Sequence, residues 1–176
     1  MADKEMSNFH FRLMSLGYTF RDLFLPRINI LREAGIESGF HVLDYGCGPG
    51  SYVNGAAELV GKTGSVYALD IHPLAIQRVR NIASKRQLGN VETICSDCET
   101  GLPNESVDVI FLYDTFHSLR DPNRVLRELY RVLRPNGILS FSDHHMEGDE
   151  IASEVTNGGL FRLLRKGDRT YSFVKG

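Results

Sequence analysis

The segment from Val42 to Tyr52, VLDYGCGPGSY, constrains the fold of this chain more than any other part of it. A short apolar run meets an acidic residue, Asp44, and glycine follows at Gly46, Gly48 and Gly50. Alternating glycines allow backbone conformations that other residues avoid, and they let a ligand lie directly against the peptide. A strand, a glycine turn and then a helix is how open α/β sheets form a nucleotide-sized pocket at their carboxyl edge. We therefore expect a ligand pocket at this loop.

Strand-like and helix-like segments alternate along most of the chain. Short apolar runs recur at HVLDYG, SVYALDI, VETICSD, VDVIFLYD and GILSFSD, and helix-length stretches lie between them at residues 53–60, 74–88 and 122–133. This alternation predicts parallel strands with helices on both faces of the sheet. Near the end, FRLLRK and RTYSFVK flank Gly167 and Asp168, which predicts a closing β-hairpin. We expect an α/β fold with seven strands, mostly parallel, and an antiparallel C-terminal hairpin.

The size and charge of the chain narrow the class of protein. With 176 residues and 42% hydrophobic content, it can bury one core but is too short for two ordinary domains. A net charge of −2 gives no basic field for nucleic acid, and no apolar run reaches the roughly 18 residues of a membrane span. The N-terminus lacks the pattern of a signal peptide, and three cysteines do not suggest a disulfide framework. We expect a cytoplasmic protein with no nucleic-acid partner and no membrane span.

The residues ahead of the glycine loop form a separate, helical segment in this prediction. Apolar side chains recur at helical spacing from residue 7 to residue 34, and Gly17 and Pro26 break the pattern into short helices. We divide the chain into an N-terminal helical segment, residues 1–40, and a single core domain, residues 41–176.

Three acidic residues follow strands and point to the kind of ligand. A dinucleotide fingerprint needs a third glycine where this chain has Ser51, so a nicotinamide cofactor fits poorly. Asp70 ends the second strand, where an acid can accept hydrogen bonds from a ribose diol. Asp97 follows the third strand, where its carboxylate could accept a hydrogen bond from the exocyclic amine of an adenine in the pocket. Each aspartate alone could be a turn residue that caps a helix. Together with Asp44 and the glycine loop they favour adenosine with a cationic centre and no phosphate.

Five motifs in this order resemble those of class I S-adenosylmethionine-dependent methyltransferases, of the small-molecule, ubiquinone/menaquinone methyltransferase-like type. LDYGCGPG resembles the first motif and VYALDIHP the acidic second one. ICSDCETGLP resembles the adenine-side motif, VDVIFLYDTFHSL the fourth, and RVLRPNGILSFSD the strand before the substrate face. The resemblance covers residues 42–143 and implies a Rossmann-like fold that binds S-adenosyl-L-methionine and releases S-adenosyl-L-homocysteine.

The resemblance also implies roles for individual residues. Asp44 would order the loop and touch the methionine amine through solvent or backbone, Asp70 would hold the ribose, and Tyr113 would lie near the methionyl part. The N-terminal segment would fold over the pocket as a lid, so that Tyr18 reaches the methionyl end or the substrate. The cofactor-binding residues expected in this way are Tyr18, Asp44, Tyr45, Gly46, Cys47, Gly48, Gly50, Asp70, Ile71, Asp97, Cys98 and Tyr113.

Two histidines are candidate catalytic residues for methyl transfer to a small-molecule acceptor. His117 follows the fourth strand, where a neutral imidazole could take a proton from an incoming nucleophile. A histidine merely hydrogen-bonded to a neighbouring loop is an equally good interpretation of it. His144 is the second candidate, and Asp114 is a further base to test.

Several other side chains suggest metal or redox chemistry, but simpler interpretations are favoured. Adjacent strand residues point to opposite faces, so His144 and His145 would not share one ion. Cys95 and Cys98 form a CxxC pair, but a structural zinc site needs four ligands, so we interpret them as structural. We expect no metal site. The basic stripe over residues 120–134 is interpreted as a solvated helix face.

The acceptor itself is left open by the sequence. The tetrapeptide YDTF at residues 113–116 differs from the NPPY pattern that accompanies amino-group methylation of adenine or glutamine. Only residues 146–159 are available as a lid before the sixth strand, so the N-terminal helices, a homodimer or a partner protein would have to complete the pocket. A non-catalytic S-adenosylmethionine-binding module or a partner-dependent methyltransferase subunit is the alternative function.

Overall fold

The computed structural model describes residues 27–176 of the chain. In chain order the elements are α1 (Ile28–Glu33), β1 (His41–Tyr45), α2 (Val53–Val60), β2 (Ser65–Asp70), α3 (Pro73–Arg86), β3 (Val91–Cys95), β4 (Val107–Tyr113), a 3-10 turn (Phe116–Ser118), α4 (Pro122–Val132), β5 (Leu133–Ser142), α5 (Gly148–Thr156), β6 (Phe161–Lys166) and β7 (Tyr171–Lys175). No helix among these is long and apolar enough to cross a membrane.

One seven-stranded sheet organises the described residues, with strand order β3-β2-β1-β4-β5-β7-β6. β1 to β5 run parallel, whereas β7 pairs antiparallel with both β5 and β6. The predicted sheet with its antiparallel C-terminal hairpin is therefore confirmed. From β1 the chain continues to β2 on one side of β1, and after β3 it crosses to β4 on the other side of β1. The carboxyl ends of β1 and β4 thus form a switch point, where open α/β sheets bind ligands.

Helices cover both faces of the sheet, as predicted. Val42 of β1 belongs to a buried cluster with side chains of α1 and α2, whereas its neighbour Leu43 belongs to a second cluster with side chains of α4 and α5. Since successive strand residues point to opposite faces, a strand covered on both sides must be apolar throughout. β4 follows this rule, since six of its seven residues are buried.

Side chains in the turns that precede α3 and α4 cap the N-termini of these helices. His72 precedes α3 and its Nδ1 accepts a hydrogen bond from the backbone of Leu74 at 3.2 Å, with Pro73 in the first position. Asp121 caps α4 in the same way, accepting from the backbone of Arg124 at 2.9 Å. These short turns hold the N-termini of both helices at the carboxyl edge of the sheet.

The described part of the N-terminal segment packs against the core. Ile30 and Leu31 of α1 are buried in one cluster with α2. Glu33 joins this helix to the C-terminal hairpin: its Oε1 accepts hydrogen bonds from the backbone and the hydroxyl of Thr170 at 3.0 and 2.8 Å. The predicted lid lies mainly in residues 1–26, and so does Tyr18, outside the described residues.

Candidate functional site

A cavity of about 740 Å³ lies at the carboxyl edge of the sheet, at the switch point between β1 and β4. Its walls come from the glycine loop, the ends of β2 and β4, and the turns that follow β3, β4 and β5. Among the residues predicted for the site, those that line the cavity are Tyr45, Gly46, Cys47, Gly48, Asp70, Ile71, Asp97, Cys98, Tyr113, His117 and His144. Asp44 and Gly50 are not among the lining residues.

The three glycines of the loop serve different purposes. Gly46 has φ +81°, and a Cβ atom there would lie 2.6 Å from Cγ2 of Thr115, so the loop after β4 could not approach a larger residue. Gly48 has φ +51°, and no atom of the described residues lies within 4 Å of its would-be Cβ. A Cβ atom at Gly50 would meet Ile82 and Val79 of α3 at 3.0 and 3.2 Å. Gly46 and Gly50 thus permit packing, whereas Gly48 leaves open space at the cavity.

Asp70 fixes the glycine loop to the end of β2. Its Oδ2 accepts a hydrogen bond from the backbone N–H of Gly48, and its Oδ1 accepts one from the backbone N–H of His72, both at 2.8 Å. Burial raises the pKa of Asp70, and these two N–H donors oppose that rise. Asp70 therefore holds the loop in place and also lines the cavity.

Asp44 lies under the loop with only 2% of its surface exposed. Its Oδ2 has no hydrogen-bond partner among the described residues. Burial, and after it the charge of Asp70, raises the pKa of Asp44 to about 7. Because Asp44 does not line the cavity, the cationic group of a ligand would interact with this unpartnered oxygen through water or the intervening backbone. The residues present therefore fit the amino-acid end of S-adenosylmethionine.

The turn that follows β3 forms a third wall of the cavity, beside the glycine loop and the end of β2. The hydroxyl of Tyr45 donates a hydrogen bond to the carbonyl of Asp97 at 3.2 Å and holds that turn against β1. The Asp97 side chain is 65% exposed and lies 3.9 Å from the guanidinium of Arg124. Cys98 is buried beneath it. Cys47 is also buried, and all three cysteines, including the exposed Cys95, are free thiols.

Tyr113 separates this half of the cavity from the next. It is buried at the end of β4, and its hydroxyl lies 2.7 Å from Oγ of Ser140 on β5. Its ring meets the edge of the Tyr52 ring at a centroid distance of 5.1 Å. The side chain is thus fixed by a hydrogen bond and a ring contact, and it offers the cavity an apolar wall.

A histidine and a buried aspartate form a dyad beyond Tyr113. Nδ1 of His117 lies 2.8 Å from Oδ2 of Asp143, whose side chain has no exposed surface. Asp143 also accepts hydrogen bonds from the backbone N–H groups of His117 and His145. Burial raises the pKa of Asp143, but these donors outweigh it, and the pKa is lowered overall. An ionised Asp143 requires the proton of a neutral His117 to lie on Nδ1, which leaves Nε2 as an acceptor.

A second pair lies beside the first. Nδ1 of His144 is 2.7 Å from Oδ1 of Asp114, and the His144 side chain is 60% exposed. The structure differs here from the expected alternation: β5 ends at Ser142, so His144 and His145 lie in the following turn and both line the cavity. Their ring centroids are 3.9 Å apart, and the His117 ring lies 4.2 Å from that of His145.

Sequence reasoning missed several residues of the site. Asp143 ends an apolar run just as Asp44 and Asp70 do, so the same strand-end rule could have selected it. Thr115, which faces Gly46, carries no comparable signal in the sequence. Arg124 lies on the basic stripe that was interpreted as a solvated face, yet it lines the cavity and pairs with Glu99 at 3.2 Å.

The fold and the site together define an open α/β protein with a ligand-sized cavity at the carboxyl edge of its sheet, one wall of which is rich in histidine. The comparison with family models gives the class: residues 36–171 match the family described as "Methyltransferase domain". This chain belongs to that methyltransferase family. The family and the fold imply binding of S-adenosylmethionine.

Individual relatives agree with this assignment. The chain is 29% identical over 136 residues to the ubiquinone/menaquinone biosynthesis C-methyltransferase UbiE of Pseudoalteromonas translucida. The aligned region covers 76% of this chain and 54% of that protein. It is 35% identical over 128 residues to the aklanonic acid methyltransferase DauC of a Streptomyces species, covering 72% of this chain and 54% of that protein. The chain spans about half the length of the curated relatives it matches.

A solved structure is similar over nearly its full length. A SAM-dependent methyltransferase from Aquifex aeolicus superposes with a TM-score of 0.78 at 26% identity, covering 91% of this chain and 98% of that one. The Rossmann-like methyltransferase fold is therefore confirmed.

Proposed function

We propose that this chain is an S-adenosyl-L-methionine-dependent methyltransferase that acts on a small-molecule acceptor. One observation carries the proposal: a glycine loop held by Asp70 and the imidazole of His117, which the buried Asp143 orients, line the same cavity on either side of Tyr113. The relatives named as C-methyltransferases of small molecules support this choice of acceptor class.

The half of the cavity at β1, β2 and β3 would hold the cofactor. The unpartnered oxygen of Asp44 fits the amine of the methionyl group, and Asp70 fits the ribose hydroxyls. Gly48 keeps a clear approach for the ligand to the backbone. When bound, S-adenosyl-L-methionine supplies a methyl group on a cationic sulfur, and S-adenosyl-L-homocysteine remains after transfer.

The half at β4 and β5 would hold the acceptor. Methyl transfer is an in-line displacement, so the protein has to align the acceptor atom and exclude water rather than form a covalent bond. Where the acceptor atom carries a proton, Nε2 of His117 would take it, and the Asp143 carboxylate would stabilise the imidazolium that forms. His144, held by Asp114, is the second candidate for this role.

Turnover with a panel of acceptors tests this function. The protein would be incubated with S-adenosyl-L-methionine and phenols, quinols, thiols or metalloid acceptors, and S-adenosyl-L-homocysteine would be measured by mass spectrometry. We expect product with at least one class, above the level without acceptor. Tight binding of the cofactor with no turnover on any class would contradict the proposal and favour the non-catalytic binding module. A homodimer, a partner that completes the lid and the cytoplasmic location stay predictions.

A further inference from the structure

Five side chains that are able to bind metal ions gather at the carboxyl ends of β4 and β5. They are two carboxylates and three imidazoles: Asp114, Asp143, His117, His144 and His145. Within the described residues, Asp114, Asp143 and His144 form a set in which one ligand atom of each lies within 4.8 Å of the others. Ligand atoms around a single ion, with bonds of roughly 2.0 to 2.3 Å, are at most about 4.5 Å apart. The three atoms therefore need little movement to share one ion.

We propose that Asp114, Asp143 and His144 bind a divalent cation on the acceptor side of the cavity. Carboxylate and imidazole ligands together suit ions such as Mn²⁺ and Zn²⁺. Three protein ligands leave coordination positions open, which is typical of catalytic rather than structural metal sites. The proposal goes beyond methyl transfer and would hold whatever the acceptor is.

Asp143 has the free capacity that a ligand needs. An ionised carboxylate offers about four acceptor positions. Three donors make four contacts with it: the backbone N–H groups of His117 and His145, and Nδ1 of His117, which lies 2.9 Å from Oδ1 and 2.8 Å from Oδ2. The single proton on Nδ1 fills one acceptor position, shared between the two oxygens. About one position is left for an ion. Ligand carboxylates in metal sites are commonly hydrogen-bonded by neighbouring groups that fix their orientation, and His117 holds Asp143 in this way.

Asp114 and His144 would supply the other two ligands. Oδ1 of Asp114 and Nδ1 of His144 are 2.7 Å apart, a separation that a shared proton accounts for in the absence of an ion. The backbone N–H of His144 donates to the same Oδ1 at 3.1 Å and ties the two turns together. An ion bound there would take the place of this hydrogen bond between the two side chains.

The position of this set explains what the ion would do. Asp114 and His144 line the cavity, and His144 is 60% exposed, so the open coordination positions lie on the cavity side. An oxygen donor of an acceptor could occupy one of them. This last step rests on the proposed function. In that arrangement His144 is a ligand rather than a base, and His117 is left to take the proton.

Metal titration of the full chain tests the proposal without any assay of activity. The protein would be stripped with a chelator and titrated with Mn²⁺ by electron paramagnetic resonance and with Zn²⁺ by calorimetry. We expect one ion per chain, and an affinity reduced at least about 10-fold in Asp114→Asn and in His144→Gln. Asp97→Asn is the matched control, because it removes a carboxylate that lines the same cavity; its affinity should stay within twofold of wild type. Bound Mn²⁺ should also enhance water-proton relaxation, as an ion with open positions does.

Circular dichroism and thermal unfolding would establish that the variants fold, and His144→Asp, which keeps a ligand, should retain part of the affinity. No binding of either ion at 1 mM, or equal binding in both site variants and wild type, would overturn the proposal. Binding of S-adenosyl-L-homocysteine is measured on the same samples. If wild-type protein did not bind S-adenosyl-L-homocysteine, the proposed function would be contradicted. If it bound S-adenosyl-L-homocysteine but neither metal ion, only the metal site would be contradicted.

Discussion

The two halves of the cavity are built in different ways. At the ends of β1 and β2, the backbone N–H groups of Gly48 and His72 donate to the half-buried carboxylate of Asp70. At the ends of β4 and β5, imidazoles join backbone N–H groups in binding carboxylates that lie 26 and 30 residues away in the chain, as in His117–Asp143 and Asp114–His144. The first half is shaped to hold one conformation of a loop. The second presents titratable groups to the cavity, which supports our proposal that the first half binds the cofactor and the second half carries the chemistry.

The largest effect is expected in the second half. Replacing His117 by Gln removes the proton acceptor that Asp143 orients, so turnover of a protonated acceptor should fall about 10²- to 10⁴-fold. The affinity for S-adenosyl-L-homocysteine should stay unchanged, because no cofactor contact is removed. His145→Gln is the control, since it removes the neighbouring imidazole but not the dyad. Equal losses in both variants would show that the division between the halves is wrong.

In the first half, Asp44 makes stability depend on pH. Its pKa of about 7 in the folded state exceeds the ordinary value of 3.8, so the folded protein binds more protons than the unfolded chain between these values. The contribution of Asp44 to the free energy of unfolding should therefore be largest below about pH 4 and fall by roughly 4 kcal/mol as the pH rises to about 7. Urea unfolding at each pH measures this change. The Asp44→Asn variant should lose most of it, and equal pH dependence in the two proteins would refute the assignment.

The same carboxylate should make cofactor binding depend on pH. A ligand amine stabilises ionised Asp44, so the affinity for S-adenosyl-L-homocysteine should rise between pH 5.5 and 7.5. 5′-Methylthioadenosine lacks the amine and serves as the control, for which the affinity should change little. If both ligands responded alike, the amine would not lie near Asp44.

Two glycines of the first half are expected to serve different purposes: Gly46 permits close packing, whereas Gly48 leaves space for the ligand. In Gly46→Ala, the new Cβ atom would clash with Thr115 at a positive φ, which should cost about 3 kcal/mol of unfolding free energy. In Gly48→Ala, no described atom lies within 4 Å, so only the backbone cost of about 1 kcal/mol remains. Denaturant titration measures both. A Gly48 variant as unstable as the Gly46 variant would mean that both glycines serve packing.

A modest effect is expected at the end of β2. Asp70→Ala removes the acceptor for the Gly48 amide and for the ribose hydroxyls, so the binding of S-adenosyl-L-homocysteine should weaken by about 1 to 3 kcal/mol. Asp168→Ala, in the exposed hairpin turn, is the matched control. Calorimetry that gave the same affinity for Asp70→Ala and wild type would refute the role of Asp70.

The same difference between the halves decided what could be predicted from the sequence. The strand segments, the hairpin and the helix that begins at Val53 follow from local periodicity and turn residues. The cofactor half could be predicted because glycine spacing and strand-end acids lie within short stretches of chain. The pairing of His117 with Asp143 depends on two strands meeting in space, and the turn after Ser142 breaks the alternation expected for His144 and His145. Neither feature has a local signal.

The central claim is that the glycine loop binds S-adenosylmethionine, and calorimetric titration tests it most directly. Wild-type protein would be titrated with S-adenosyl-L-homocysteine and with NAD, and the Gly48→Val variant with the first ligand alone. The account predicts one site for S-adenosyl-L-homocysteine, no measurable heat with NAD, and loss of binding in a folded Gly48→Val protein, because the new side chain points into the open space at the loop. Undiminished binding in that variant, or equal affinity for NAD, would contradict it.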